Sequence, residues 1–189
     1  NPLCSAGGSG GGGSGRPDVS KRCPAAFEPP IVVVLHLPSQ SSVDVRSVYG
    51  PSKAREFVEI EDKMPIANRH VYFAPAGYHV LLEKDETFSL TQDEPVHYSR
   101  PAIDVFMASA APVLGERLVA ALLTGANADG AKGLKAIHDA GGTTYVQDPG
   151  DAEFSEMPSA ALGLIEPKRL FKASELADVF MEDAERGRR

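Results

Sequence analysis

The sequence predicts an α/β protein: a doubly wound, mostly parallel sheet flanked by helices, with a small antiparallel β excursion. Three observations carry this. The apolar run Leu118-Val119-Ala120-Ala121-Leu122-Leu123 stops in the polar, glycine-bounded turn Thr124-Gly125-Ala126-Asn127-Ala128-Asp129-Gly130, as a buried parallel strand does at its carboxyl end. A second such run, Ile31-Val32-Val33-Val34-Leu35, delivers His36 in the same way. Beyond residue 100, strand-like runs alternate with helically patterned segments, the signature of parallel strands joined by crossover helices.

Taken in order, residues 1–30 read as an irregular N-terminal segment, a linker or a truncated nucleophile region, and 31–189 as the α/β domain. Gly7 onward is a Gly/Ser tract with no side chains to bury, which composition assigns to flexible coil. Residues 16–30 hold four prolines and read as a loop, with a short helical turn at 25–28. A helix is expected over 43–49, stopped by Gly50-Pro51. A half-exposed strand is expected at 56–60, and strands at 70–74, 78–83 and 87–91 are expected to form the antiparallel excursion, with the 78–83 strand as hairpin partner of 70–74. The next helix opens around Pro101, placed in its first turn, and keeps Ile103, Phe106, Met107, Ala110 and Leu114 on one apolar face, a core face rather than a docking surface. Then come the 118–123 strand, a helix over 131–140 stopped by Gly141-Gly142, a strand at 143–147 broken by Asp148-Pro149, and a short helix at 158–162. A terminal helix starts at Ser174 and carries Leu176, Val179, Phe180 and Asp183 on successive turns.

The totals exclude several classes. At 189 residues the chain suits one hydrophobic core. A net charge of −7, with no basic stripe, argues against nucleic acid. No apolar run approaches the ~20 residues that span a bilayer, and no signal-like segment opens the chain, so a soluble cytoplasmic protein without membrane insertion is expected. Two cysteines, Cys4 and Cys23, make a disulfide framework improbable, and no metal-ligand spacing and no cofactor motif occurs.

His36 and Asp129, each at the end of a buried strand, are two-thirds of a hydrolytic triad: a general base and the group that fixes its tautomer. Read singly, such a His is a satisfied structural residue and an Asp before Gly is a turn or cap. The nucleophile is the open position. Ser5, in Cys4-Ser5-Ala6-Gly7-Gly8, is followed by the small residues a sharp turn requires, and Ser9 matches the Gly-x-Ser-x-Gly elbow pattern more closely, as any Gly/Ser linker would. The plain reading of both is a solvated tail. Arg100 reads either as a substrate-positioning cation or as a helix-start Arg paired with a neighbouring carboxylate. His70, His79, His97 and His138 receive no catalytic role.

Five blocks occur in order: Leu35-His36-Leu37-Pro38, Tyr72-Phe73-Ala74-Pro75-Ala76-Gly77-Tyr78-His79, Ser99-Arg100-Pro101-Ala102-Ile103-Asp104, Leu123-Thr124-Gly125-Ala126-Asn127-Ala128-Asp129-Gly130 and Gln147-Asp148-Pro149. On these blocks, with an outpost at Ser5-Ala6-Gly7-Gly8, the chain resembles the catalytic domain of the bacterial chemoreceptor methylesterases, the CheB family. The resemblance implies hydrolysis of glutamyl methyl esters on receptor cytoplasmic helices, or on another methylated signalling protein, and deamidation of receptor glutamines. It implies Ser5 as nucleophile, His36 as general base and then acid, Asp129 as its orienting partner, and backbone N–H donors near Ala6 and Ala126 for the oxyanion. The chain departs from the family before Ser5, where only four residues are available for a strand, and after it, where a glycine run replaces an amphipathic helix. Ala126 stands where many members have Met. A catalytically impaired module that binds a receptor or signalling partner is the alternative reading, and an esterase of unrelated substrate a third.

Overall fold

A computed structural model of the chain describes residues 3–9, 27–36 and 55–186. Seven parallel strands form one sheet in the order β3-β4-β2-β1-β7-β8-β9: β1 is Leu3–Ser9, β2 Ile31–His36, β3 Glu56–Glu59, β4 His70–Phe73, β7 Leu118–Leu122, β8 Thr143–Gln147 and β9 Arg169–Phe171. A separate antiparallel pair joins β5 (His79–Leu82) to β6 (Phe88–Thr91). The helices are α1 (Ile103–Leu114), α2 (Ala131–Asp139), α3 (Glu156–Leu162) and α4 (Leu176–Arg186).

Strand alternation sorts the core into two layers, because successive side chains point to opposite faces. Val32 and Val34 of β2 and Leu118, Ala120 and Leu122 of β7 pack on Phe106, Met107 and Ala110 of α1 and Leu134 and Ile137 of α2. Ile31, Val33 and Leu35 of β2 and Val119 and Ala121 of β7 face the other way, toward Leu176, Val179 and Phe180 of α4. The sheet is thus covered on both faces, which is why its central strands are apolar throughout. The expected apolar face of α1 is buried from Ile103 to Leu114.

Several local expectations change. The irregular segment assigned to residues 1–30 contains the central strand of the sheet: Leu3–Ser9 pairs in parallel with β2 on one side and β7 on the other, so Gly7, Gly8 and Ser9 belong to a strand. Tertiary pairing between two buried neighbours outweighs the poor strand propensity of Gly and Ser. The antiparallel excursion shrinks to β5 and β6, since β3 and β4 pair in parallel with each other and β4 with β2. Helix α1 begins after Pro101 rather than around it, with Ala102 as its N-cap. The three-residue edge strand β9 was not expected; Arg169-Leu170-Phe171 is too short to show a period. The helix expected over 43–49 and the rest of the Gly/Ser tract lie outside the described residues.

Candidate active site

From β1 the chain moves to β2, then to the edge strand β3 and back to β4 between them, before crossing to β7, β8 and β9 on the other side of β1. The order reverses at β1. In open α/β sheets a crevice forms at the carboxyl ends of the strands where the order reverses, and that is where ligands bind.

His36 closes β2 and Asp129 follows β7, so their strands flank β1. The His36 Nε2 to Asp129 Oδ2 distance is 2.6 Å, and the contact bridges the end of the intervening strand. Asp129 is fully buried, whereas the His36 side chain keeps 13% of its surface exposed. Its carboxylate also accepts the Ile103 N–H at 2.7 Å and the Asp104 N–H at 2.9 Å, the first two amides of α1. Ala102 has no side-chain acceptor to cap that helix. Asp129 caps it from another element, where the positive end of the helix favours a carboxylate.

Burial by itself would raise the Asp129 carboxyl, but the His36 hydrogen bond and the Asp104 and Ile103 N–H groups together hold it below the usual carboxylate range. Asp129 is therefore ionised at neutral pH and can only accept. It follows that His36 Nε2 carries the hydrogen and that, in the neutral ring, Nδ1 is left as the base. The turn that presents Asp129 is self-supporting. Asn127 Oδ1 accepts the Asp129 N–H at 2.9 Å, and Gly130 takes φ +93° while its Cα lies against Leu122 and Ile103, a position with no room for a Cβ.

The two serines are separated by the register of β1. Ser5 is level with Val32 and Ala120 in mid-sheet, and Ala6 with Val33 and Ala121. Ser9 is level with His36. At ~3.3 Å per residue, Ser5 lies about 13 Å short of the His36 level along the strand. The nucleophile expected at Ser5 and the oxyanion donor expected at Ala6 are thus set inside the sheet, away from the crevice. The Gly-x-Ser-x-Gly spacing around Ser9 thus falls at the end of the strand, level with His36.

Ala126 is exposed on the β7–α2 loop, three residues before Asp129. That loop is braced from β8: Gln147 Oε1 accepts the Thr124 N–H at 2.8 Å and Gln147 Nε2 donates to Asp151 at 2.8 Å. The Arg100 Nη1 group donates to the carbonyls of Gln92 and Asp93, at 2.8 and 3.0 Å. It therefore straps its own loop, and the carboxylate partner expected for it is replaced by backbone. His79 is buried and pins the same loop: Nδ1 accepts the Ala102 N–H at 3.2 Å, so the hydrogen sits on Nε2, 3.0 Å from the Glu94 carbonyl.

Behind Asp129 lies a second pair that the sequence did not reveal. Asp104 is buried, accepts the Gly133 N–H of α2 at 2.7 Å, and lies 3.4 Å from His97 Nε2. His97, Asp104 and Asp129 each offer an atom within 4.8 Å of the others. Every carboxylate oxygen of the group already faces an N–H donor or an imidazole, which makes the group a relay of hydrogen bonds and one ion-pair contact rather than an open metal cage.

Comparisons with known proteins identify the family and the architecture. The CheB methylesterase family model matches residues 5–180. A Leptospira interrogans protein, to which protein-glutamate methylesterase and protein-glutamine glutaminase activities are ascribed, is 39% identical over 158 residues, covering 84% of this chain and 82% of its own length. The protein-glutamate methylesterase/protein-glutamine glutaminase of Symbiobacterium thermophilum is 32% identical over 168 residues, 89% of this chain but 46% of that longer protein. The Thermotoga maritima CheB methylesterase catalytic domain superposes with a TM-score of 0.85 at 25% identity, over 96% of this chain and 97% of the other. With a family match that spans both sides of the crevice and a solved catalytic domain of the same architecture, the chain belongs to the CheB methylesterase family.

Proposed function

We propose that this chain is a protein-glutamate methylesterase that hydrolyses glutamyl methyl esters on the cytoplasmic helices of chemoreceptors, with glutamine deamidation as its companion reaction. The observation that carries the reading is the 2.6 Å His36–Asp129 bond across the end of β1, with Ser9 level with His36. Ser9 is the nucleophile in this proposal, in place of Ser5. Its hydroxyl adds to the ester carbonyl while His36 Nδ1 takes the proton, and Asp129 holds the imidazolium that results. In this reading the oxyanion is stabilised by backbone N–H groups of the Ala126 region, donors placed where the charge develops. Methanol leaves with the proton from His36. Water, deprotonated by His36, then adds to the acyl-enzyme; the tetrahedral intermediate collapses to the glutamate, and the proton returns to Ser9. Neither step requires a cofactor. No helix among the described residues is long and apolar enough to cross a membrane, and a cytoplasmic site of action is part of this proposal.

The alternative of a binding module without turnover drew on the lack of a strand for the nucleophile. With β1 paired on both sides the strand is supplied, while the residues that would complete the elbow after Ser9 lie outside the described residues. The test is methanol release from a methyl-esterified receptor fragment. Ser9→Ala and His36→Ala are expected to lower kcat/KM by about 10³-fold or more, while Ser5→Ala retains the parent rate within a few-fold. Loss in Ser5→Ala with retention in Ser9→Ala would return the nucleophile to Ser5. A folded parent chain without turnover would favour the binding module.

A further inference from the structure

The His97–Asp104 pair has no part in the proposed reaction as described, yet it is wired to it. The Asp104 backbone N–H donates to Asp129 Oδ1 at 2.9 Å, and Asp129 holds His36. Side-chain exposure falls along this line, from 33% at His97 to 12% at Asp104 and 0% at Asp129. Two carboxylates are therefore stacked behind one imidazole, and the outer one meets the more exposed histidine, His97 at 33% against 13% for His36. We propose that His97 is a positioning residue, whose charge on Asp104 sets the net charge behind the His36–Asp129 pair and thereby the pH at which His36 becomes a base. The proposal rests on the methylesterase reading only for its kinetic readout.

The physical argument is electrostatic. With His97 protonated, the outer pair is neutral and His36 senses the single charge of Asp129. With His97 neutral and Asp104 ionised, a second negative charge lies behind Asp129, and a cationic His36 is favoured. Burial pushes the Asp104 carboxyl up, and the Asp129 charge adds to this; the Gly133 N–H, His97 and the Gly130 N–H pull it back down. The other groups around the pair are committed elsewhere. His79 is bound to two backbone groups, Arg100 Nη1 to two carbonyls, and Asp93 and Glu94 are exposed on the loop that carries His97. The loop itself is held in place. His97 takes φ +49°, and its carbonyl accepts from Asn127 Nδ2 at 3.4 Å, so the loop that presents the imidazole is tied to the turn that presents Asp129.

The test uses the full chain and two readouts: the NMR titration of the His36 ring, which needs no substrate, and the acidic limb of kcat/KM for ester hydrolysis. His97→Gln removes the cation and is expected to move the His36 midpoint and the acidic limb to higher pH by about 0.5 unit, roughly threefold in rate on that limb. Asp104→Asn keeps an oxygen for Gly133 and is expected to move both to lower pH. His97→Lys restores a cation and is expected to bring the midpoint back to the parent position or below it. A shift of the same sign in His97→Gln and Asp104→Asn, or none in His97→Gln, overturns the proposal. If Asp104→Asn does not fold, the opposed effects of Gln and Lys at position 97 decide. Absence of turnover in the parent chain would count against the methylesterase reading, and the ring titration would still decide this one.

Discussion

Asp129 does two jobs with one carboxylate, and its two oxygens show how. One joins His36 and the Ile103 N–H, the other takes the Asp104 N–H, so the group that fixes the His36 tautomer also caps α1. Asp129→Asn keeps the size but replaces an acceptor oxygen with a donor amide, which must face an N–H or the imidazole. The expected outcome is a fall in kcat of about 10³–10⁴ from the wrong His36 tautomer, with a loss of ~1–3 kcal/mol in stability from an unsatisfied buried donor. Methanol release and urea denaturation of the same sample would measure the two. A variant that lost activity but kept full stability would mean that α1 does not depend on this cap. His36 and Asp129 were legible in the sequence, because each follows a run apolar enough to be a buried strand. The placement of Ser9 at a strand end was not, because composition alone assigns a glycine-flanked serine to coil.

At the scale of elements, α1 and α2 set the spacing of the whole relay. Asp104 on α1 caps α2 through Gly133, and Asp129, just before α2, caps α1, so each helix N-terminus is satisfied from the other's neighbourhood. This reciprocity demands close approach. A Cβ on Gly133 would lie 2.7 Å from Met107 Cβ, 3.0 Å from Asp104 Cα and 3.1 Å from the Asp104 carbonyl oxygen, two of them backbone atoms that cannot rotate away. Alanine is a better helix former than glycine by ~1 kcal/mol, but the overlap is expected to cost more, about 1–3 kcal/mol. Gly133→Ala should therefore lower stability on balance and lower kcat as well, since Asp104 is displaced. Denaturation and esterase assays would show this, and a stabilised variant would mean that the helices can part without cost. Sequence periodicity identified both helices, yet nothing in it indicated which glycine lies at their contact, because that contact is between residues ~30 positions apart in a fold not yet assembled.

For the whole molecule, the buried carboxylates give acid stability two opposing parts. Asp129 is held below the ordinary carboxyl range, so its ionised form favours the fold: that contribution is complete above the unfolded value, about 3.9, and is lost as pH falls through the lower folded value. Asp104 is raised, chiefly by burial, so the protonated form favours the fold, and its contribution is lost as pH rises from the ordinary range through the folded value. Denaturation midpoints over roughly pH 2 to 7 are expected to show a shallower acid loss in Asp129→Asn than in the parent, and a steeper one in Asp104→Asn. Parallel curves for all three would mean that neither carboxylate is linked to folding. On the same scale, the sequence by itself determined the α/β class, the helices 103–114 and 131–139 to within a residue or two, and the two strand ends that carry His36 and Asp129, because hydrophobic periodicity and turn residues are local signals. Only the tertiary structure decided that Leu3–Ser9 is the central strand, that β3 and β4 pair in parallel, and that His97 reaches Asp104. Those facts depend on pairing partners far apart in the chain: two buried strands, β2 and β7, supply the hydrogen bonds that make a strand of a glycine-rich segment whose own residues would leave it as coil.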